Sequence, residues 1–514
     1  MAKGSMTKGM VACGHPATAE AALEVLDEGG NAIDAALAAL CAATVAEPAL
    51  TSLAGGGFLL AAGPELPPVA FDFFSQTPKR KRPPEELDFG PILADFGPAA
   101  QEFHVGLGAV ATPGCLAGLL HVHERLGRRP LDRIFGPAIR LARDGVVVTA
   151  MQAFLYQILE PIFRYSESMR AVHAGAGGVP VAGETVRNPD LADTLTALGR
   201  DGARLYREGE LGHAIIDPCR DGGHLDGDDL AGYQVVERAP LAIRHGAATL
   251  LTNPPPAAGG LLIGFALDLL ADLDLGRSGA GSHDHLATLV RVMALTNKAR
   301  IESGLGEDGP EDAARRFNDP AFVHRYRAEV LGRPATARGT THISVIDGAG
   351  LAVSLTSSNG EGSGHIAPGT GIILNNMLGE EDLHPAGFHR WPADTRISSM
   401  MAPSILAEAD GGLTALGSGG SNRLRTAILQ VVLNLTDFGL APAAAVAAPR
   451  VHWERDFLNV EAGFEPAVVA ALVADHPDHK VWPAGNLFFG GVHVVTSHGT
   501  GAGDPRRAGV CRSL

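Results

Sequence analysis

The chain has 514 residues, of which 46 % are hydrophobic and 19 % charged, so it can bury a large core and is not disordered as a whole. Its formal net charge of −16 argues against nucleic-acid binding, which needs a basic face. The length suits two cooperating units or one large multilayer α/β domain.

The first residues, Met1 to Met6, contain no apolar stretch of the secretory kind. The longest apolar run, Ala35 to Ala46, falls well short of the roughly 20 residues that span a bilayer and reads as a buried, Ala-rich helix. A soluble, cytoplasmic protein without membrane contact is expected. Five scattered cysteines (Cys13, Cys41, Cys115, Cys219 and Cys511) show no CxxC spacing, which suits a reducing compartment and no structural metal. Cys115 lacks a local activating signature and is expected to be buried packing.

In chain order, Ala17 to Ala46 carries helical apolar spacing broken at Gly29-Gly30-Asn31, which predicts two helices separated by a glycine cap and turn. Gly55-Gly56-Gly57 has neither the order nor the following Lys-Ser/Thr of a phosphate loop, so close backbone packing between strands is expected. Val69 to Phe73 alternates as a strand, and the basic run Lys79 to Arg82 reads as a solvated loop. The middle, from Gln152 to Ala299, reads as mainly helical, with clear periodicity at Leu191–Leu198 and His285–Ala299 and a loop at Gly259-Gly260. Leu331 to Gly339 has no periodic apolar face and reads as an exposed linker. It runs into Thr341 to Ile346, a β-branched strand, then the turn Asp347-Gly348-Ala349-Gly350 and a second strand, Leu351 to Thr356. Gly417-Ser418-Gly419-Gly420-Ser421-Asn422 precedes a helix at Leu424–Leu435, with Ser421 or Asn422 as its cap.

A linker abutting a strand that starts with two threonines has a chemical reading. A threonine hydroxyl needs a base, and a threonine freed at a chain terminus carries one, its α-amine, with a pKa of about 8. Cutting Gly339–Thr340 would create that terminus, and the Thr340 hydroxyl can make the cut by attacking the Gly339 carbonyl. The glycine amides at the start of the Leu424 helix lie where they could stabilise an oxyanion. The 20 histidines show no HExxH or comparable spacing, and His283-Asp284-His285 is the closest pair. His342 is expected to support the nucleophile structurally rather than act as its base.

Taken together, the ordered segments resemble the gamma-glutamyltransferase family. They are Gly29–Ala36, Glu47-Pro48, Gly55–Phe58, Thr112-Pro113-Gly114, Asp229–Tyr233, Pro255–Gly260, Thr340-Thr341-His342, Gly371–Asn376, Ser398-Ser399-Met400 and Gly419-Gly420-Ser421. The resemblance implies an α/β protein with the four-layer αββα sandwich of N-terminal-nucleophile hydrolases. It also implies self-cleavage into subunits 1–339 and 340–514 that stay together, with pairing of these heterodimers as a further step. Thr340 would take an acyl group from a small-molecule amide and pass it to water or an amine, without cofactor or metal. The resemblance also assigns Gly419 and Gly420 to the oxyanion hole, in a loop one residue shorter than usual and without its proline. Ser398 and Ser399 fall on the pair that binds the donor's α-carboxylate, and Glu380 on the amine-binding acid. A hydroxyl that supports the nucleophile falls at Ser358 or at Ser357.

The chain departs from the family where the donor is read. The family's glutamyl-binding arginine follows Asp-Phe, whereas Phe71-Asp72-Phe73-Phe74 puts Phe74 there. A phenyl ring cannot hold a carboxylate as a guanidinium does. Arg80 and Arg82 are candidates to reach in from the neighbouring loop. Met377 replaces a polar residue, and the short stretch from Glu380 to Ser398 implies that the family's lid loop is missing and the pocket open. A gamma-glutamyl donor such as glutathione is the default expectation. An acylase for non-glutamyl amides, such as glutaryl-type side chains, is the alternative, and an uncleaved binding relative is the non-enzymatic one.

Overall fold

The fold was read from a computed structural model, which describes residues 8–95, 100–175, 177–207, 209–271, 273–303, 340–384, 387–420, 422–454 and 456–514. The linker at 331–339 and Ser421 lie outside the described residues.

The strands of the two main sheets, in chain order, are β1 (Gly9–Cys13), β2 (Gly56–Gly63), β3 (Leu66–Phe73), β4 (Val236–Arg238), β5 (Leu241–His245), β6 (Ala248–Thr252), β7 (Thr341–Asp347), β8 (Ala352–Ser358), β9 (Ser404–Ala407), β10 (Leu413–Gly419), β11 (Gly491–Thr496), β12 (Gly501–Ala502) and β13 (Val510–Ser513). Seven form one sheet in the order β13-β1-β7-β8-β2-β3-β4, and six form the second in the order β12-β11-β10-β9-β6-β5.

Alternation along each strand assigns its two faces. In the first sheet Val11, Cys13, Leu59, Ile343, Val345 and Leu355 face a helical layer that includes α1 (Pro16–Asp27) and α2 (Ala32–Ala46). On the other face Met10, Ala12, Leu60 and Ile346 meet Ile405, Ala415 and Val495 of the second sheet. The second sheet's outer face is covered by α3 (Gly259–Leu270), α4 (His283–Glu302) and α5 (Arg423–Thr436). The result is the four-layer αββα sandwich. Hydroxyls also tie the layers together: Ser344 donates to the His493 carbonyl at 3.1 Å and Ser354 to that of Leu416 at 2.9 Å.

The break at Gly29-Gly30-Asn31 is where α1 ends, and Asn31 and Asp34 cap α2 reciprocally. That helix is buried on nearly all sides, as its apolar run requires. Asp347 closes the β7–β8 turn by accepting from Ala349 and Leu351 N–H, and its other oxygen accepts from Ala32 N–H at 2.9 Å. The hairpin carrying Thr340 is thereby fixed to the first turn of α2. The middle of the chain is not as uniformly helical as its periodicity suggests, because β4, β5 and β6 lie within it. Among the described residues no helix is long and apolar enough to cross a membrane.

Candidate active site

Thr340 stands immediately before β7 and is 3 % exposed. Register settles which groups share its face. Thr341 pairs with Ser357 and His342 with Thr356, while Thr356 and Ser358 pair with Phe58 and Gly56. Paired residues of neighbouring antiparallel strands point to one side, and successive residues to opposite sides. Thr340, His342, Thr356 and Ser358 therefore share the face toward the second sheet, and Thr341 and Ser357 face the helices. The Ser358 hydroxyl accepts from Gly360 N–H at 2.9 Å. Ser357 instead lies 2.8 Å from the Thr51 hydroxyl and donates weakly to the Gly56 carbonyl at 3.3 Å.

Gly419 ends β10 opposite Gly491, and a Cβ there would collide with the Thr340 carbonyl oxygen. Gly420 follows at φ +124°, a conformation that only glycine adopts without strain. The Ser418 hydroxyl donates to the Gly419 carbonyl at 2.7 Å and accepts from Gly491 N–H at 3.0 Å, fixing the turn. Asn422 occupies the cap position of α5 but makes no side-chain capping bond, and its amide lies 3.4 Å from an Asp382 oxygen. The glycines are placed by their strand and by Ser418, not by an Asn422 cap.

Two buried charged residues near Thr340 escaped the sequence reading as functional groups. Arg507 Nη1 donates to the Thr340 carbonyl at 3.1 Å, and burial holds its pKa down at about 10, with Asp504 and Glu47 pulling it back up. Glu47, at the end of α2, accepts from Thr341 and Thr18 hydroxyls, each at 3.0 Å. Burial raises its pKa, against the pull of those two hydroxyls and of Arg507. Glu47 was visible only as part of a matching Glu-Pro segment. No local spacing marks Arg507, whose role emerges only when the C-terminal turn folds back.

The His342 ring bonds Thr356 at 2.8 Å through Nδ1 and Ser344 at 2.9 Å through Nε2. Burial, then the neighbouring His493, depresses its pKa well below the usual histidine value. Both ring nitrogens are thus occupied, which suits a supporting part. Cys115 is buried 3.8 Å from Ser357 Oγ, with its thiol pushed up to about 12 by burial. His283 and His285 sit at the start of α4. Among the described residues one group has the proximity to share a metal ion, Glu408, Asp410 and His498, at the end of β10 opposite Gly419.

The residues expected to read the donor lie on loops around this end of the sheets. Ser398 donates to the Pro256 carbonyl at 2.8 Å, and Ser399 accepts from Met401 N–H at 3.1 Å. Glu380 is buried, with Oε1 2.5 Å from where a Cβ on Gly360 would stand. Phe74 is buried and stacks on Phe58 with ring centroids 5.4 Å apart. Neither Arg80 nor Arg82 reaches in: Arg80 pairs with Asp226 and Asp228, and Arg82 donates to the Gly223 and Arg220 carbonyls. Arg396 lies closer, but its guanidinium donates to the Phe74 and Gln234 carbonyls and to the Tyr233 hydroxyl. Within the short stretch after Glu380, Trp391 packs into the same buried cluster as Phe74.

Residues 18–513 match the family model described as gamma-glutamyltranspeptidase. The glutathione hydrolase proenzyme of Escherichia coli K12 is 30 % identical over 91 % of this chain and 85 % of its own length. The acylase ACY 1 proenzyme of Pseudomonas sp. strain V22 is 31 % identical over 92 % of this chain and 87 % of its own. Among solved structures, the cephalosporin acylase of Bacillus halodurans superposes with a TM-score of 0.84 at 25 % identity, covering 98 % of this chain and 96 % of the other. The Helicobacter pylori gamma-glutamyltranspeptidase matches 63 % of this chain and 91 % of its own with a TM-score of 0.54 at 26 % identity.

Proposed function

Because the chain belongs to the gamma-glutamyltranspeptidase family, an autoprocessed group of amide hydrolases and acyltransferases, we propose that Thr340 is its nucleophile, freed by self-cleavage at Gly339–Thr340. The observation that carries this is the position of Thr340: it heads β7 of the first sheet, shares with Ser358 the face toward the second sheet, and has its carbonyl held by Arg507 and closely approached by Gly419.

In the first reaction the Thr340 hydroxyl adds to the Gly339 carbonyl. The Gly339–Thr340 C–N bond breaks and an ester forms. Water opens that ester to give fragments 1–339 and 340–514 and a free α-amine on Thr340. In turnover that amine takes the hydroxyl proton while Oγ bonds to the donor's carbonyl carbon. The oxyanion is stabilised by amides of the Gly419–Gly420 turn, the C–N bond breaks, and the ammonium returns the proton to the leaving amine. Water or an acceptor amine then takes the acyl group from Thr340. Ser358, on the same face, supports the hydroxyl. Glu380, Ser398 and Ser399 lie on the loops that meet the donor and acceptor. Relatives named for glutathione hydrolysis and for acylase activity both match over about nine-tenths of this chain, so the family alone leaves the acyl group open.

The mass of the purified protein under denaturing conditions tests the reading. Two fragments meeting at Gly339–Thr340 are expected, and Thr340→Ala should stay a single chain without amide-cleaving activity. A wild-type chain still whole after long native incubation would overturn it.

A further inference from the structure

The turn between β12 and β13 holds two buried arginines with different surroundings. Arg506 is neutralised by Glu461 at 2.6 Å and Asp504 at 3.2 Å. Asp504 also pairs with Arg450 at 2.7 Å and accepts from Val492 N–H, so its carboxylate is already engaged. Arg507 is equally buried, yet among the described residues no carboxylate pairs with it and its Nε has no hydrogen-bond partner. What its guanidinium holds is the Thr340 carbonyl, 3.1 Å from Nη1. A buried charge without a counter-ion is costly, and such groups gather where charge serves a reaction.

Three glycines make room for this charge. A Cβ on Gly419 would stand 2.9 Å from Nη1 and one on Gly420 3.3 Å from the other terminal nitrogen, and one on Gly491, the strand partner of Gly419, would collide with Arg507 Cδ. The guanidinium is thus threaded between the Gly419–Gly420 turn and Thr340. That placement has a consequence once the chain is cut. The freed α-amine belongs to the residue whose carbonyl Arg507 holds, and backbone bond lengths put the two atoms within about 4 Å of each other. The guanidinium then lies no more than about 7 Å from the amine. At an effective dielectric constant of about 20, a unit charge at that distance disfavours the ammonium by on the order of one to two pKa units. Burial of Thr340 acts in the same sense.

The acids nearby pull the other way but less directly. Glu47, at the end of α2, meets Thr341 rather than Thr340, on the helical side of the sheet, and burial favours its neutral form. Asp504 is engaged by two arginines. His342 on β7 and His493 on β11 are kept neutral by burial, and burial pushes the Cys13 thiol on β1 up, so it too is neutral. Further out stand Glu380, beside Gly360, and at the start of α5 Asp382 and Arg423, which are of opposite sign.

We propose that Arg507 sets the proton affinity of the freed Thr340 α-amine, leaving it largely unprotonated at neutral pH and able to take the hydroxyl proton. This rests on the proposed role of Thr340 and makes Arg507 a positioning residue that acts through it. Arg507 transfers no proton and stays charged near neutral pH, since burial lowers its own pKa only to about 10. The bond changes remain those of the proposed reaction.

The amine's titration can be read directly on the whole processed protein. Brief acetic anhydride labelling from about pH 5 to 9, followed by the mass of the fragment that begins at Thr340, gives its pKa. The wild type is expected below about 7, against about 8 for an ordinary terminal amine. Arg507→Gln should raise the value by about one unit or more, whereas Arg507→Lys, which keeps the charge, should stay near the wild type. The acid limb of kcat/KM should move with it, measured on the best cleaved of gamma-glutamyl, glutaryl and hexanoyl 4-nitroanilides. A residue that only braces the carbonyl would slow both variants and shift neither value. If Arg507→Gln does not cut itself, Gly491→Ala, whose added methyl displaces Arg507 Cδ, should raise the amine's value instead. A wild-type amine at about 8 or above, or one that neither loss of the charge nor its displacement moves, overturns the tuning and leaves Thr340 as nucleophile standing. A chain that never cuts itself and cleaves no anilide overturns both.

Discussion

At position 419 one methyl group separates a working turn from a blocked one. The Gly419 Cα faces the Thr340 carbonyl so closely that a Cβ would displace it, and the same Cβ would press on an Arg507 nitrogen 2.9 Å away. Gly419→Ala should therefore fold but misplace both the nucleophile and the oxyanion donors. Loss of one such donor slows acyl transfer by about 10²–10³-fold. Self-cleavage followed by gel densitometry should slow by at least that much while circular dichroism stays that of the wild type. The two adjacent serines make a sharper comparison, because they differ only in face. Ser358→Ala should slow self-cleavage and anilide turnover together. Ser357→Ala, whose hydroxyl reaches Thr51 and Gly56 on the helical side, should cost about 1 kcal/mol of stability and leave kcat unchanged. Equal kinetic effects at both positions would contradict the assignment by register.

At the scale of elements, what was legible depended on whether a local pattern caused the structure. The break before Asn31, the hairpin on either side of Asp347 and the helix after Asn422 were all legible, because caps, turns and apolar periods act over a few residues. Strands β5 and β6 were hidden in a stretch that reads as helical. They are only five residues each, and β5 buries alternate positions with Arg244 outward, so its period is too short to stand out beside Leu-rich helices. The candidate site divides in the same way. Thr340, Gly419, Gly420, Ser398 and Ser399 stand in local sequence settings. Arg507 and Glu47 lie 167 and 293 residues from Thr340 in sequence, and only the meeting of β13, β1 and β7 brings their ends of the chain together. The paths of Arg80, Arg82 and Arg396 were equally illegible, since each is decided by carbonyls and carboxylates on other segments.

The whole molecule carries two consequences that no single element does. Burial holds His15, His173, His224, His285 and His493 at about 4, below their usual value near 6.5. In the unfolded chain these rings protonate near 6.5, so below that pH the unfolded state binds more protons and stability falls as pH falls. The contribution is fully present above about 6.5 and is lost down to about 4. By pH 5 each ring can cost up to about 2 kcal/mol. Glu47 and Asp229, which burial holds above their usual values, act in the opposite sense but are two groups against five. Urea unfolding at pH 7.5 and pH 5.0 should show a clearly lower midpoint at the acid end, and a flat profile would count against these buried neutral rings.

The second consequence concerns the cut at Gly339–Thr340. In the first sheet β7 and β8 come from the later part of the chain, yet they lie between β1 and β2 of the earlier part, and the late β13 closes the edge beyond β1. In the second sheet β9 pairs with the early β6. Cleavage would therefore remove one covalent bond without removing any of three inter-fragment ladders in the first sheet or the one in the second. Separating the pieces means exposing the strand edges and much of both cores, which amounts to unfolding. The processed protein should elute from a native sizing column at the position of the uncut Thr340→Ala variant. Its fragments should part only at the denaturant concentration at which the fold itself melts, as read by tryptophan fluorescence. Fragments that separate under native conditions would show that this interleaved arrangement is not what holds them.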